Sequence, residues 1–278
     1  MLVRIGSRGS RLALVQAERA AGTLRREGRE IAFVPMTTSG DRDRTSPFGQ
    51  IGERGVFVKE IEEALLAGRI DVAVHSAKDM TSSDTDGLTV GAYLERDDPS
   101  DALVGATEIS SGMRIGTASV RRRAQLLALD PTIRVEPLRG NVDTRLRKAR
   151  ERGLDALILA SCGLDRLGLG GEIGRRLPIE TMLPEAAQGA IALQVRSGDE
   201  GLVAASDCAE TRRRVEAERA FVARIGGGCL APVAAHHDGE LLHALVAAED
   251  GSWVELRHGV DPAALASSLL DAVAERAA

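Results

Sequence analysis

At 278 residues the chain is longer than a single hydrophobic core usually supports, so two or three domains are expected. Hydrophobic residues at 44% and charged residues at 28% fit a globular protein, and no apolar run approaches the length of a membrane span. The net charge of −5, with bases and acids interleaved, argues against nucleic-acid binding, and 2% aromatics leave little for base-stacking or carbohydrate platforms. Three well-separated cysteines, Cys162, Cys208 and Cys229, do not suggest a disulfide framework. With no signal-peptide pattern at the start, they point to a cytoplasmic protein.

Taken in chain order, Leu2–Ile5 reads as a strand, Leu12–Arg26 as a helix with Ser10 as its N-cap, and Glu30–Thr37 as a second strand. Gly40–Gly55 is a polar, glycine-dotted loop, long enough to act as a mobile active-site lid. Phe57, Ile61 and Leu65 fall at i, i+4 and i+8 on a helix ending at Gly68, and Asp71–Val74 is a short buried strand. This alternation implies a mostly parallel sheet. A second α/β block runs from about Asp101 to Leu183, with strands at Met113–Ile115, Ile133–Leu138 and Ala156–Ala160. Pro184–Val195 reads as apolar chain returning to the first block, which would make two similar lobes with a cleft between them. A third block starts near Asp207 with a long helix carrying Val215, Phe221, Val222 and Ile225. The turn signals Asp238-Gly239 and Asp250-Gly251 then mark an antiparallel meander, and a helix over Pro262–Glu275 closes the chain.

Of the 36 basic residues only Lys59, Lys78 and Lys148 are lysines. Arginines recur in loops that follow an expected strand and precede an expected helix: Gly6-Ser7-Arg8-Gly9-Ser10, Thr117-Ala118-Ser119-Val120-Arg121-Arg122-Arg123, and Leu138-Arg139-Gly140-Asn141-Val142-Asp143-Thr144-Arg145. A helix N-terminus offers free N–H groups and a positive dipole end, and a guanidinium adds a fork that matches carboxylate or phosphate. Each corner taken alone is as readily surface charge; three suggest a common anionic ligand.

Val74-His75-Ser76-Ala77-Lys78-Asp79 comes off a buried strand, and ligands of open α/β sheets bind beyond the carboxyl ends of strands. Lys78 and Asp79 are therefore expected in that crevice, although a surface pair or a helix cap is the plainer local reading. His75 reads more simply as a hydrogen-bonded structural histidine. Cys229, in Gly226-Gly227-Gly228-Cys229, follows a helix on a glycine loop, whereas Cys162 looks structural and Cys208 sits at a helix start. No C-x-x-C occurs, and His236-His237 is read as a lone pair on a turn, so no metal site is expected. A P-loop and a G-x-S-x-G elbow are absent, and Gly168–Gly174 misses the dinucleotide fingerprint by one position.

Together these segments resemble the porphobilinogen deaminase (hydroxymethylbilane synthase) family. Arg4–Ser10 with Leu12-Ala13-Leu14 and Gln16, Gly55–Glu60, and Val74–Asp79 carry the resemblance in the first part of the chain. Gly116–Arg122, Leu138–Arg145, Leu183-Pro184 with Gln188-Gly189, and Gly227-Gly228-Cys229 continue it in the family's order over nearly the whole length.

The resemblance implies three domains: 1–95 plus about 186–205, catalytic and anion-binding; 96–185, binding cofactor and substrate carboxylates; and 206–278, carrying the cysteine loop. The first two would be doubly wound, mainly parallel and like type II periplasmic binding proteins, the third a small α+β unit with an antiparallel three-stranded sheet. It implies that four porphobilinogens condense head to tail with loss of ammonia, on a dipyrromethane cofactor held as a thioether by Cys229. Asp79 would be the catalytic aspartate, stabilising the cationic azafulvene left by ammonia. Arg8, Ser10, Gln16, Ser76, Lys78, Thr117, Ser119, Arg121, Arg122, Arg139, Gly140, Arg145, Arg166 and Gln188 would bind cofactor and substrate, and Phe57 would pack against a ring. Porphobilinogen carries an acetate and a propionate, so two cofactor rings and four substrate rings bring about twelve carboxylates, which accounts for the arginines. The expected partners are porphobilinogen and the growing polypyrrole, with no nucleic acid or membrane, and the expected state is a monomer.

The pattern has departures. Gln50 and Arg54 stand where bacterial relatives often have lysine, Met80-Thr81 replaces Val-Pro after the aspartate, and the third domain is short. The main rival is a non-catalytic anion-binding module on the same fold, which has no use for a thiol on a glycine loop or for a third domain. A relative that has lost activity is the other rival, and retention of Asp79 and Cys229 speaks against it.

Overall fold

The structure is a computed structural model that describes residues 1–36, 58–81, 85–226 and 232–277. The expected lid loop, Phe57 and Cys229 lie outside the described residues. The chain divides into two compact units, Met1–Asp97 with Gly189–Arg213, and Asp98–Gln188 with Arg214–Ala278.

The first unit contains β1 (Leu2–Arg8), α1 (Arg11–Arg26), β2 (Glu30–Met36), α2 (Lys59–Leu66), β3 (Val72–Ser76), β4 (Leu88–Tyr93) and a strand from later in the chain, β10 (Ile191–Arg196). Their order is β2-β1-β3-β10-β4. β1 is parallel to β2 and β3, and β10 is antiparallel to both β3 and β4, so four of the five strands point the same way. α1 starts where the Ser10 hydroxyl accepts the Ala13 N–H, and it ends with Arg25 and Arg26 at the negative end of its dipole. Its buried stripe of Ala17, Ala20, Ala21 and Leu24 packs on Val3, Ile5, Val72 and Val74. On the other sheet face Ile61 and Leu65 of α2 pack with Ile70, Ala73 and Leu88.

The second unit repeats the plan with β5 (Asp101–Val104), β6 (Arg114–Gly116), α3 (Val120–Leu129), β7 (Arg134–Glu136), α4 (Val142–Glu151), β8 (Ala156–Ala160), α5 (Ser161–Arg166) and β9 (Ile173–Arg176). The order β7-β6-β8-β5-β9, with β6 parallel to β7 and β8 and β5 antiparallel to β8 and β9, is equivalent to the first sheet. α6 (Ala209–Ile225) continues from the first unit into the second, followed by the antiparallel sheet β11 (Val233–His237), β12 (Leu242–Ala247) and β13 (Val254–Gly259), and by α7 (Pro262–Ala277). Phe221, Val222, Leu242, Ala244, Leu265 and Leu269 form the core under this sheet.

The fold class is the expected one, with two mainly parallel sheets and a three-stranded antiparallel sheet. Four elements were not anticipated. β4, β5 and β9 are short or carry a mid-strand glycine, and α5 has only six residues, so none spans enough of a period to register. One reading is corrected: His236 and His237 are not on a turn but are buried at the end of β11, and the turn begins only at Asp238.

Candidate active site

In the first unit the carboxyl ends of the adjacent parallel strands β1 and β3 deliver the expected residues to one place. β1 runs on past Ile5 to Arg8, so Arg8 terminates a central strand, and Ser10 opens α1 two residues later. β3 ends at Ser76 and passes into a tight turn over Ala77–Asp79. The Ala77 N–H donates to Ala190 O (3.1 Å), anchoring that turn to the chain entering β10. Gln16 Nε2 donates to Ser76 Oγ (2.9 Å), tying the first turns of α1 to the end of β3. Arg8, Ser10, Gln16, His75, Ser76 and Asp79 are the polar lining of a pocket that opens to solvent, with Leu12, Ala13, Val58, Ile61 and Val74 as its apolar wall. Lys78 sits on the same turn but outside that wall.

His75 is hydrogen-bonded and buried, as the plainer sequence reading has it. Its Nε2 lies 3.1 Å from Gln194 Oε1, and Gln194 Nε2 donates to Glu62 Oε1 (2.8 Å). Burial lowers its pKa to about 4, with the Gln194 contact opposing that shift. Because the folded value lies below the usual 6.5, the unfolded chain takes up the proton first as pH falls. Stability is unaffected by this group above pH ~6.5 and should drop between about 6.5 and 4 by up to ~1.4 kcal/mol per pH unit, roughly 3 kcal/mol in all. Urea unfolding across that range measures it, and the same acid sensitivity in His75→Gln would assign it to other groups.

The second unit holds the other two corners. Thr117 and Ser119 close the loop after β6: the Ser119 N–H donates to Thr117 Oγ1 (3.2 Å), and Ser119 Oγ caps α3 by accepting the Arg122 N–H. Arg121 and Arg122 are buried, at 3% and 5% exposure, on either side of the fully buried Asp101. Arg121 Nη2 stands 2.9 Å from one Asp101 oxygen and Arg122 Nη2 2.7 Å from the other. The remaining Nη atoms donate to Leu183 O (2.7 Å) and Ile158 O (3.2 Å). Burial alone would raise the Asp101 pKa, but the two guanidiniums outweigh it and hold the carboxyl far below the usual range. Gln188 is fully buried, its Nε2 donating to Pro99 O and to Asp101 Oδ1, each at 2.8 Å, so it faces Asp101 instead of open space.

Arg139, Arg145 and Arg166 are half-buried, as is Arg8. Gly140 has φ +120, and a side chain there would strike Thr144, so glycine is what lets this loop turn into the Asn141 cap of α4. The corners are thus not alike. Arg121 and Arg122 are largely committed inside the unit, and the other arginines are not buried.

Comparison with known proteins decides the family. Residues 3–204 match the family model described as porphobilinogen deaminase, dipyromethane cofactor binding domain, and residues 212–277 match porphobilinogen deaminase, C-terminal domain. The chain belongs to the porphobilinogen deaminase family. A porphobilinogen deaminase of Roseiflexus sp. (strain RS-1) is 45% identical over 284 residues, covering 96% of this chain and 94% of the relative. One of Acidithiobacillus ferrooxidans (strain ATCC 53993 / BNL-5-31) is 44% identical over 292 residues, covering 99% and 95%.

The corner at α3 suits the carboxylate-rich cofactor of this family. Arg121 Nε and Arg122 Nε are buried with no hydrogen-bond acceptor among the described residues, and the first turn of α3 has no acidic side chain. Sequence reading missed Asp101, whose setting Asp97-Asp98-Pro99-Ser100-Asp101 resembles a surface acidic turn; its one signal is that it leads directly into the apolar Ala102-Leu103-Val104. It missed Glu218 as well, fully buried and accepting the N–H groups of Ala187 (2.6 Å) and His237 (2.8 Å). Ala187 has φ +63, a strained value for a residue with a Cβ, and the Glu218 bond helps to hold it. Among the described residues no helix is long and apolar enough to cross a membrane, and no group of three His, Cys, Asp or Glu residues is placed to hold a metal ion.

Proposed function

We propose that the first-unit pocket is where this chain carries out the transferase reaction of its family, the head-to-tail condensation of four porphobilinogens to hydroxymethylbilane with loss of ammonia. The observation that carries this reading is the gathering of Asp79, Arg8, Ser10, Gln16 and Ser76 around one pocket at the carboxyl ends of β1 and β3. Dipyrromethane, when bound through a thioether to Cys229, supplies the nucleophilic carbon and the anchor for the growing chain. Arg8 and Ser10 are donors matched to the substrate's acetate and propionate, with Lys78, on the turn that carries Asp79, as a further cation. The Asp79 carboxylate stabilises the positive charge that develops as ammonia departs, and the apolar wall of Leu12, Val58 and Ile61 strengthens that interaction by excluding water.

In the second unit Thr117, Ser119, Arg121, Arg122, Arg139, Gly140, Arg145 and Arg166 form the carboxylate-binding set for cofactor and later rings. Gln188 acts by orienting Asp101. Three separate sheets support a division into three domains, 1–95 with about 186–205, 96–185 and 206–278. Free thiols at Cys162 and Cys208 support a cytoplasmic setting, where we infer a monomer.

Intact mass tests the reading. The purified protein should exceed its sequence mass by two porphobilinogen units less two ammonias. Asp79→Asn should keep fold and mass but lose at least ~10²-fold in turnover, since the amide removes the charge facing the cation. Near-normal turnover in that variant would move the stabilising role to another group.

A further inference from the structure

His75 is left over from this account: it lines the pocket, yet no step uses it. Its hydrogen bonds fix which ring nitrogen carries the proton. The Glu62 carboxylate accepts from Thr85 Oγ1 (2.9 Å) and, on its other oxygen, from Gln194 Nε2 (2.8 Å), so the Gln194 amide must present its carbonyl to His75. A carbonyl can only accept, so Nε2 of the neutral ring carries the hydrogen (3.1 Å) and Nδ1 is left with a lone pair. Nδ1 has no partner among the described residues. The ring is neutral because burial disfavours its charged form.

The remaining polar groups of the pocket divide by chemistry. Arg8 can only donate, the Gln16 amide and the Ser76 hydroxyl are engaged with each other, the Ser10 hydroxyl can do either, and Asp79 accepts. An uncharged acceptor beside a carboxylate suits a cationic N–H donor and cannot serve a substrate carboxylate. We propose that His75 is a substrate-binding residue, its Nδ1 accepting a hydrogen bond from the protonated aminomethyl nitrogen of porphobilinogen, the nitrogen that leaves as ammonia. This rests on the pocket being the porphobilinogen site. The Glu62–Gln194 pair then positions the ring, and a protonated His75 would repel the ammonium it is there to receive.

Steady-state kinetics of holoenzyme variants test it. His75→Gln removes the Nδ1 acceptor and should raise KM for porphobilinogen about tenfold or more with kcat nearly unchanged, since the bond is present in the ground state. His75→Asn returns an amide oxygen near the Nδ1 position and should recover most of that loss. Inhibition by the porphobilinogen analogue with methyl in place of aminomethyl should be the same in His75→Gln as in wild type. An unchanged KM in His75→Gln, or equal weakening of the analogue, overturns the proposal, the second result pointing to the pyrrole N–H. Should either variant fail to fold, imidazole ¹⁵N spectra of Asp79→Asn, which turns over slowly, give the answer. The Nδ1 signal should move on adding porphobilinogen and stay put with the analogue; no movement with porphobilinogen overturns the assignment. Full turnover by Asp79→Asn would instead sink the pocket reading itself, leaving these His75 outcomes as a separate result.

Discussion

Cys229→Ser protein should purify at its bare sequence mass and show no turnover. The thioether needs a thiolate carbon–sulfur bond that a serine hydroxyl does not form under the same conditions, because the alcohol is a far weaker nucleophile at neutral pH. Without that anchor the growing chain has no tether, and the entropy advantage of holding both reactants is lost. The other two cysteines serve as internal controls. Cys162 is buried in the first turn of α5, and Cys208 precedes α6 with its N–H donating to Tyr93 O (2.8 Å). Neither lines the pocket, so Cys162→Ser and Cys208→Ser should retain both the added mass and the activity. An active Cys229→Ser enzyme, or one still carrying two extra rings, would end the thioether assignment.

Asp101→Ala should cost about 3–5 kcal/mol of stability, read as a lowered urea midpoint, because two buried guanidiniums lose their shared carboxylate. Removing either arginine leaves the converse problem, a buried carboxylate with half its compensation. Arg121→His and Arg122→His are therefore expected to yield mostly apo-protein that also melts early, whereas Arg8→His, at a half-buried strand end, should load cofactor and melt normally. Gln188→Ala should fall between, since its amide supplies one of several contacts to Asp101. A loss below about 1 kcal/mol in Asp101→Ala would show that solvent or Glu185, which also acts on both arginines, already compensates them.

The elements that local chemistry specifies were legible in the chain itself. α1 combines a serine cap with alanines at helical spacing, and the C-terminal meander is written in its two Asp-Gly turns. The placement of Asp79 followed from the buried strand expected over Asp71–Val74, which in the structure runs on to Ser76, because ligands of such sheets gather at the carboxyl ends. The family was legible from motifs spread along most of the chain. What the three-dimensional structure alone decided is how each charge is spent. Arg121 and Arg8 are alike as letters, yet one lies buried against a carboxylate 20 positions away and the other ends a strand at a pocket. The protonation pattern of His75 depends on Gln194, 119 residues distant, and on Glu62 beyond it, in a different element. Such pairings arise when strands remote in sequence become neighbours in a sheet, as β10 does beside β3. Periodicity and turn chemistry act over a few residues, so they set which elements form; burial and desolvation act on whatever the sheet order brings together, so they set what the side chains can do.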